Sequence, residues 1–182
     1  AFLMTTEHRP GSMAALAGAH RQKVVPSELI ENRTVYASQL AELSVYDTYE
    51  QADRIRLDAG ELLYCGMMTG RKVMHGMDGF STEFLPHESF VVAPGEYVEI
   101  DFPEATLDTP TTCMTLEIPR ETLLKVCDQL NTVSERPKDL GEWEVETRQW
   151  HLAHTDATQQ LLERIVASHV QKEDDCDLVL NF

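Results

Sequence analysis

Three side chains that commonly bind metals lie near the middle of the sequence. His75, Glu83 and His87 fall on consecutive short segments, and sets of His and Glu ligands hold transition metals in many proteins. A metal site in a small β-barrel, however, usually takes two histidines from one strand face, two positions apart. The residue two positions after His75 is Met77, and the one after His87 is Ser89. We therefore expect no metal and no cofactor, although a metal-dependent barrel enzyme remains the alternative.

Other spacings that could support catalysis are less specific. Glu99 and Asp101 lie two positions apart and would share one strand face, as paired acid–base carboxylates can. Acidic residues are so abundant here that chance explains the pair equally well. The sequence contains neither a Gly-rich phosphate loop nor a G-x-S-x-G nucleophile motif. We therefore expect that this protein is not an enzyme.

A basic pair and a group of methionines favour binding over catalysis. Arg71 and Lys72 begin a predicted strand, and a cation on the inner face of a barrel needs a partner. That partner is either a carboxylate of the protein or an anionic ligand, and the sequence leaves both open. The methionines of the predicted strands either fill gaps in the core or line an adaptable binding surface, and core filling is the simpler interpretation. They are Met67, Met68, Met74, Met77 and Met114.

Composition excludes several classes of function. The 182 residues suit one domain, or one domain with a helical appendage. The 31 acidic and 15 basic residues give a net charge of −16, which excludes direct binding to nucleic-acid backbones and disfavours anionic membranes. No apolar run approaches the roughly 20 residues that a membrane span needs. Four cysteines without a C-x-x-C pair indicate free thiols in a reducing cytoplasm.

The elements that would position these residues are mainly strands. Residues 41–118 contain apolar runs of strand length, separated by Gly, Pro and Asp turn signals, which predicts a β-sandwich or small barrel. No helix-length segment interrupts them, so a doubly wound fold is excluded. The clearest runs are ELLYCGMM, RKVMH, FSTEF, SFVVA, YVEIDF and TCMTLEI.

Helical periodicity begins after the strands. Pro119 starts a first helix that ends near Asn131, a polar linker covers residues 132–150, and Asp156 with Gln159 forms the capping box of a second helix. Asp175 would cap a third. The chain is divided accordingly into 1–12, which are interpreted as vector-derived residues, 13–118, an N-terminal arm and barrel, and 119–182, a helical segment cut before a further domain.

Several segments together resemble a known family. SELIENRTVY, GRKVMH, LPHESFVVAPGE, IDFPEA and PTTCMTLEIP are similar to the N-terminal sensor domain of bacterial transcription regulators of the AraC family. The resemblance covers roughly residues 27–182. It implies a cupin-like jelly-roll barrel followed by dimerising helices, without metal or catalysis. It further implies a cytoplasmic homodimer that binds a small-molecule effector and contacts DNA only through a C-terminal helix-turn-helix domain outside this chain.

The resemblance carries no universal ligand motif, so the pocket residues are our own hypothesis, based on side chains of the strands with polar ends or soft bodies. The candidates are Tyr46, Tyr64, Met67, Lys72, His75, Phe84, His87, Tyr97 and Cys113. Because side chains alternate along a strand, only about half can point inward. Two other interpretations stay open, namely a cupin dioxygenase or isomerase using His75, Glu83 and His87, and a dimerisation platform that binds nothing.

The second helix presents an apolar face wider than a single coiled-coil seam. We expect Leu162, Val166 and Val170 to pack on the barrel. A second ridge would then meet its symmetry mate across a two-fold antiparallel contact, unless the linker around the two tryptophans covers it. This candidate dimer interface consists of Ala157, Leu161, Ile165 and His169.

Overall fold

A computed structural model describes residues 11–37, 41–134 and 136–171. Ten strands and three α-helices follow one another along this part of the chain. They are α1 (Met13–Lys23), β1 (Asn32–Ala37), β2 (Glu42–Thr48), β3 (Ala52–Asp58), β4 (Leu62–Thr69), β5 (Lys72–Gly76), β6 (Ser81–Phe84), β7 (Glu88–Val92), β8 (Tyr97–Phe102), β9 (Thr111–Ile118), α2 (Arg120–Val133), β10 (Trp150–Ala153) and α3 (Asp156–Val170).

The strands form two antiparallel sheets that face each other. One sheet has six strands in the order β1-β2-β9-β4-β7-β10, and the other has four in the order β3-β8-β5-β6. Neighbours far apart in the chain, such as β2 and β9, pair across the sheet as they do in jelly rolls. The expected mainly β architecture, a jelly-roll barrel followed by helices, is confirmed, and each of the six apolar runs contains a strand.

The central strands of the six-stranded sheet are buried on both faces. Along β4, Leu63, Cys65 and Met67 point into the barrel, whereas Tyr64 and Met68 pack on the opposite face. Because both faces are covered, the strand is apolar almost throughout instead of alternating. The interior between the sheets is filled mainly by Met67, Met74, Phe84, Phe90, Val92, Val98, Ile100 and Phe102.

Helices α1 and α3 cover the outer face of the six-stranded sheet. Leu162, Val166 and Val170 of α3 are buried there, as the sequence predicted, together with Leu16 and Ala17 of α1. Helix α1 was not predicted, and its N-cap is Ser12, whose Oγ accepts from the amide of Ala15.

The N-cap of helix α3 lies one residue earlier than the sequence predicted. The side chain of Thr155, not Asp156, accepts from the amide of Thr158 at 3.2 Å, so the predicted Asp156–Gln159 capping box is wrong. The third helix expected from Asp175 lies outside the described residues.

Helix α2 differs from the other two because none of its residues is buried. Residues 132–150 were expected to form a polar linker, but its last residue, Trp150, begins β10, which pairs with β7 at the edge of the six-stranded sheet. None of the helices in the described part of the chain is long and apolar enough to cross a bilayer.

Candidate functional site

A lysine side chain lies inside the barrel. Lys72 starts β5 with its side chain turned inward and only 3% of the residue exposed. Its Nζ lies 3.3 Å from Oε1 of Glu31 and 5.0 Å from the centre of the Phe102 ring. The sequence left the partner of this cation open between a carboxylate and a ligand, and the structure places the carboxylate of Glu31 on it.

The surroundings of Lys72 keep it charged. Burial alone would lower the pKa of Lys72, since an ammonium loses its hydration in an apolar interior. The neighbouring carboxylate of Glu31, which carries the opposite charge and accepts a hydrogen bond from Nζ, opposes that effect, and the pKa of Lys72 rises above its ordinary value. The interior of the barrel thus holds a permanent positive charge paired with one carboxylate at its edge.

Two buried thiols and a phenol complete the polar part of this interior. Burial raises the pKa of Cys65 and of Cys113, so both stay protonated near neutral pH. Burial also raises the pKa of Tyr46 to about 12, against the lowering influence of Arg33. Apart from Glu31, the groups around Lys72 are therefore neutral donors and soft apolar side chains, which are the residue types that small-molecule sites commonly use.

Glu31 reaches Lys72 from a loop rather than from the barrel strands. It lies just before β1 and has φ +50°, a left-handed backbone conformation that residues other than glycine rarely adopt. The amide of Glu31 donates to Thr48 Oγ1 at 2.9 Å, and the carbonyl of Leu29 accepts from the amide of Tyr49 at 2.7 Å. Ile30, between them, packs against the apolar interior. These contacts hold residues 29–31 at the rim of the barrel.

Five of the nine predicted ligand residues lie on the inner face. Lys72 and Phe84 sit opposite each other on β5 and β6, and Met67 sits opposite Cys113 on β4 and β9. Tyr46, on β2, is paired with Cys113. The structure therefore brings these five side chains to one interior, although the sequence placed them on five strands.

The other four predicted residues lie elsewhere. Tyr64 faces the helices and accepts from Ser89 Oγ at 2.6 Å. Tyr97 lies on the outer face, where its ring stacks under the guanidinium of Arg56, 3.8 Å away. His87 occupies an exposed turn with φ +68°. These residues do not belong to the interior.

His75 is the fourth, and it also bears on the metal hypothesis. Its Nε2 lies 2.7 Å from Asp101 Oδ2 and its Nδ1 2.7 Å from Ser81 Oγ, on the outer face. Glu83 is paired with Arg71 at 2.5 Å. Within residues 11–37, 41–134 and 136–171, no three His, Cys, Asp or Glu side chains are grouped so as to hold a metal ion. The set of His75, Glu83 and His87 does not converge.

Sequence reasoning missed several residues of the interior. Cys65 lies two positions before Met67 on the same strand face, so alternation alone could have found it. Phe102 follows in the same way from the alternation of β8, where Val98 and Ile100 also point inward. Nothing local to Glu31 could have revealed its role, because it meets Lys72 from 41 positions away.

The predicted dimer ridge is divided by the structure. Ile165 and His169 are only 5% and 7% exposed, and Ile165 belongs to a core that it shares with Leu16 and Ala17 of α1. His169 Nδ1 donates to the carbonyl of Ile165 at 2.7 Å, and its ring meets the ring of Tyr36 edge-on. Ala157 and Leu161 are exposed. A continuous interface along this ridge is therefore wrong, since half of it belongs to the core of the chain.

This chain is similar to a known protein family and to several solved structures. The sequence matches the model of the AraC-type transcriptional regulator N-terminus over residues 39–179. It matches none of the curated proteins with which it was compared.

Among solved structures, unsaturated-fatty-acid-bound wild-type ToxT from Vibrio cholerae strain SCE256 has a TM-score of 0.55 at 10% identity, covering 79% of this chain and 52% of that one. A P21-form structure of ToxT from Vibrio cholerae gives 0.53 at 9% identity, covering 70% and 48%. A Klebsiella pneumoniae protein with a double-stranded β-helix domain gives 0.46 at 14% identity, covering 55% and 86%. The chain spans about half the length of ToxT, and likeness at such identity shows the fold alone.

Proposed function

Because this chain belongs to the family of AraC-type transcriptional regulator N-termini, we propose that it is the sensor domain of a longer bacterial regulator. A small molecule binds inside the barrel, and its binding controls a DNA-binding domain that follows this chain. The observation that carries the proposal is the charged Lys72, buried among apolar and soft side chains. The site consists of the five inward residues of the sequence hypothesis, Tyr46, Met67, Lys72, Phe84 and Cys113.

Regulation, rather than catalysis, fits the chemistry of this interior. Its thiols are buried with raised pKa values, so they are poor nucleophiles. The two histidines of the enzyme alternative lie elsewhere, since His75 is paired with Asp101 on the outer face and His87 occupies an exposed turn. A binding site needs apolar surface and a few placed polar groups, and the side chains of this interior supply both.

Binding of the ligand changes the relative populations of the conformational states of the longer protein. A molecule that binds the folded barrel selectively stabilises it and favours whichever arrangement of the longer protein fits the bound form. With a net charge of −16, this chain leaves DNA contact to the following domain. We accordingly place the regulator in the cytoplasm, where bacterial DNA is found.

The ligand-binding proposal is tested by thermal melting of the purified chain with a diverse panel of small metabolites. We expect at least one to raise Tm by several degrees in a saturable manner. The matched variants are Met67→Ala, inside the barrel, and Met77→Ala, whose side chain is 52% exposed. Met67→Ala should change the affinity for that metabolite at least fivefold, and Met77→Ala should leave it unchanged. Binding that responds equally to both variants would contradict a site in the barrel.

We further propose that two copies pair through α2. Leu123, Val126, Leu130 and Val133 recur at intervals of three, four and three residues, the spacing of a coiled-coil seam. Val126 is 42% and Val133 79% exposed, and no residue of α2 is buried. A second copy of the same helix, antiparallel across a two-fold axis, would cover this seam.

The dimer proposal is tested by light scattering coupled to gel filtration. We expect a dimer, and Val126→Glu should convert it into a folded monomer because it places a charge in the seam. The matched control is Leu107→Glu on the loop after β8, where Leu107 is 73% exposed. A monomeric parent, or a dimer that survives Val126→Glu, would place the contact elsewhere.

A further inference from the structure

The segment Ile30–Glu31 fills the rim of the barrel with a particular combination of groups. Ile30 adds an apolar side chain to the interior, and Glu31 adds a carboxylate that lies on Lys72 Nζ. The side chain of Glu31 is 15% exposed and that of Lys72 only 4%. When the segment Ile30–Glu31 lies at the rim, the interior therefore holds an apolar side chain next to a carboxylate.

The charge of Lys72 restricts which molecules can replace the carboxylate of Glu31. An ammonium buried without an anion is strongly unfavourable, whereas exchange of one carboxylate for another leaves the pairing intact. An uncharged molecule that displaced Glu31 would strand Lys72. A molecule that brings its own carboxylate would not.

The segment that carries Glu31 is held at the rim mainly by hydrogen bonds to Thr48, Tyr49 and Asn32, and only Ile30 adds apolar contact. Val25 is 92% and Leu29 48% exposed, so the loop before Ile30 adds little apolar burial. Glu31 itself adopts the left-handed backbone conformation at φ +50°, which its side chain disfavours. Release of this segment would relieve that strain.

We propose that the ligand of the barrel is a small organic monocarboxylate with a short apolar body, which replaces Glu31 on Lys72 and releases residues 24–31 from the rim. This inference rests on the proposed sensor function and adds the chemical class of the ligand. It also names the part of the chain that reports binding.

The first test compares carboxylates with uncharged molecules of the same shape. Isothermal titration of the 182-residue chain uses 4-methylpentanoate and benzoate, each beside its primary amide. We expect at least one acid to bind at least tenfold more tightly than its amide. Amides that bind as tightly as the acids, or the absence of binding by both acids, would overturn the inference. The sensor function would still stand if another metabolite of the panel bound in the barrel.

Three variants test the exchange itself. Glu31→Gln removes the competing charge and should tighten binding of the acid at least fivefold, while Lys72→Met should weaken it at least tenfold. Glu28→Gln is the matched control, because Glu28 is exposed on the same loop, and it should bind like the parent. Circular dichroism checks that each variant is folded. Equal affinities in Glu31→Gln and the parent would overturn the exchange.

A measurement on the unaltered chain makes the test independent of variant folding. Endoproteinase Glu-C cleaves after glutamate, and cleavage after Glu28 and Glu31 should accelerate at least threefold with the acid but not with the amide. Cleavage that stays constant or slows while the acid is bound would overturn the release of residues 24–31. Mass spectrometry of the fragments identifies the cleaved bonds.

Discussion

His20 of α1 donates from Nε2 to Oδ2 of Asp47 on β2 at 2.9 Å, and neither side chain has any exposed surface. The Tyr36 hydroxyl lies 2.9 Å from the other ring nitrogen of His20, and Thr112 donates to Asp47 Oδ1 at 2.6 Å. This buried polar network joins the N-terminal helix to β1, β2 and β9. It is satisfied at each of these atoms, as buried polar groups must be if they are not to destabilise the fold.

Asp47→Asn should destabilise the protein strongly. The amide cannot accept from His20 and Thr112 as the carboxylate does, and breaking a buried charge-assisted pair typically lowers the free energy of unfolding by about 3–5 kcal/mol. Urea denaturation measures the difference. The matched control is Asp58→Asn, whose carboxylate meets Arg56 at the surface and should change stability too little to measure. Equal stability of both variants would contradict a structural role for the network.

Asp101 should make stability depend on acidic pH. Burial raises its pKa, but hydrogen bonds from His75 and from the amide of Arg54 outweigh burial, and the pKa of Asp101 falls below its ordinary value. As pH falls, the unfolded chain therefore takes up this proton first. The stabilisation is present above the ordinary carboxyl pKa of about 4 and is lost as pH falls through the lower folded value.

Denaturation of Asp101→Asn across pH tests this sign. The variant should be less stable than the parent near neutrality, and the difference should shrink as the pH drops below about 4. Asp53→Asn, at an exposed position on β3, serves as control and should run parallel to the parent. A difference that grows on acidification would contradict the assignment.

Gly70→Ala should destabilise the turn between β4 and β5. Gly70 has φ +84°, and a Cβ there would lie 2.6 Å from Thr111 Oγ1 and 3.0 Å from Thr111 Cα. Strain and collision together should lower the free energy of unfolding by about 2–4 kcal/mol. Gly95→Ala separates the two effects, because Gly95 has φ +81° but open space around it. Thermal melting should rank Gly95→Ala between Gly70→Ala and the parent.

Two adjacent leucines of α3 should respond differently to truncation. Leu162 is 4% exposed and packs on the outer sheet face, so Leu162→Ala should lower the free energy of unfolding by about 2–5 kcal/mol. Leu161 is 41% exposed, and Leu161→Ala should cost less than about 1 kcal/mol. Chemical denaturation of both variants measures the contrast. A large loss from Leu161→Ala would mean that another surface covers it.

Local periodicity was enough to predict most of the strands and two of the three helices, although it missed α1 and β10. Apolar runs between turn residues predicted β4 to β9, and apolar residues at helical spacing predicted α2 and α3. Both patterns can be recognised because they depend only on residues that are close together in the sequence. The ridge Leu162, Val166 and Val170 was also predicted, since it needed only the angle between positions on one helix. The net charge of −16 is a property of composition alone, and it predicts that this chain does not bind DNA directly.

Alternation could not say which face of a strand was inside. Strand β4 is buried on both faces, so its sequence does not show polar residues on one side. Tyr64 and Met67 were therefore both predicted to line the pocket, although Tyr64 faces the helices and Met67 faces the interior. Likewise, the wide apolar face of α3 led to the prediction that Ile165 meets a second copy of the chain, and that prediction chose the wrong partner. The partner is α1, whose Leu16 and Ala17 share that core.

The tertiary structure alone decided the partner of Lys72. The sequence required an anion for a buried ammonium, because its desolvation is otherwise uncompensated. Glu31 supplies it across 41 positions, from a loop whose backbone conformation at φ +50° no local pattern indicates. Which carboxylate reaches the interior depends on how the chain closes around the barrel. That closure is set by packing between distant segments, whereas sequence patterns record only the preferences of near neighbours.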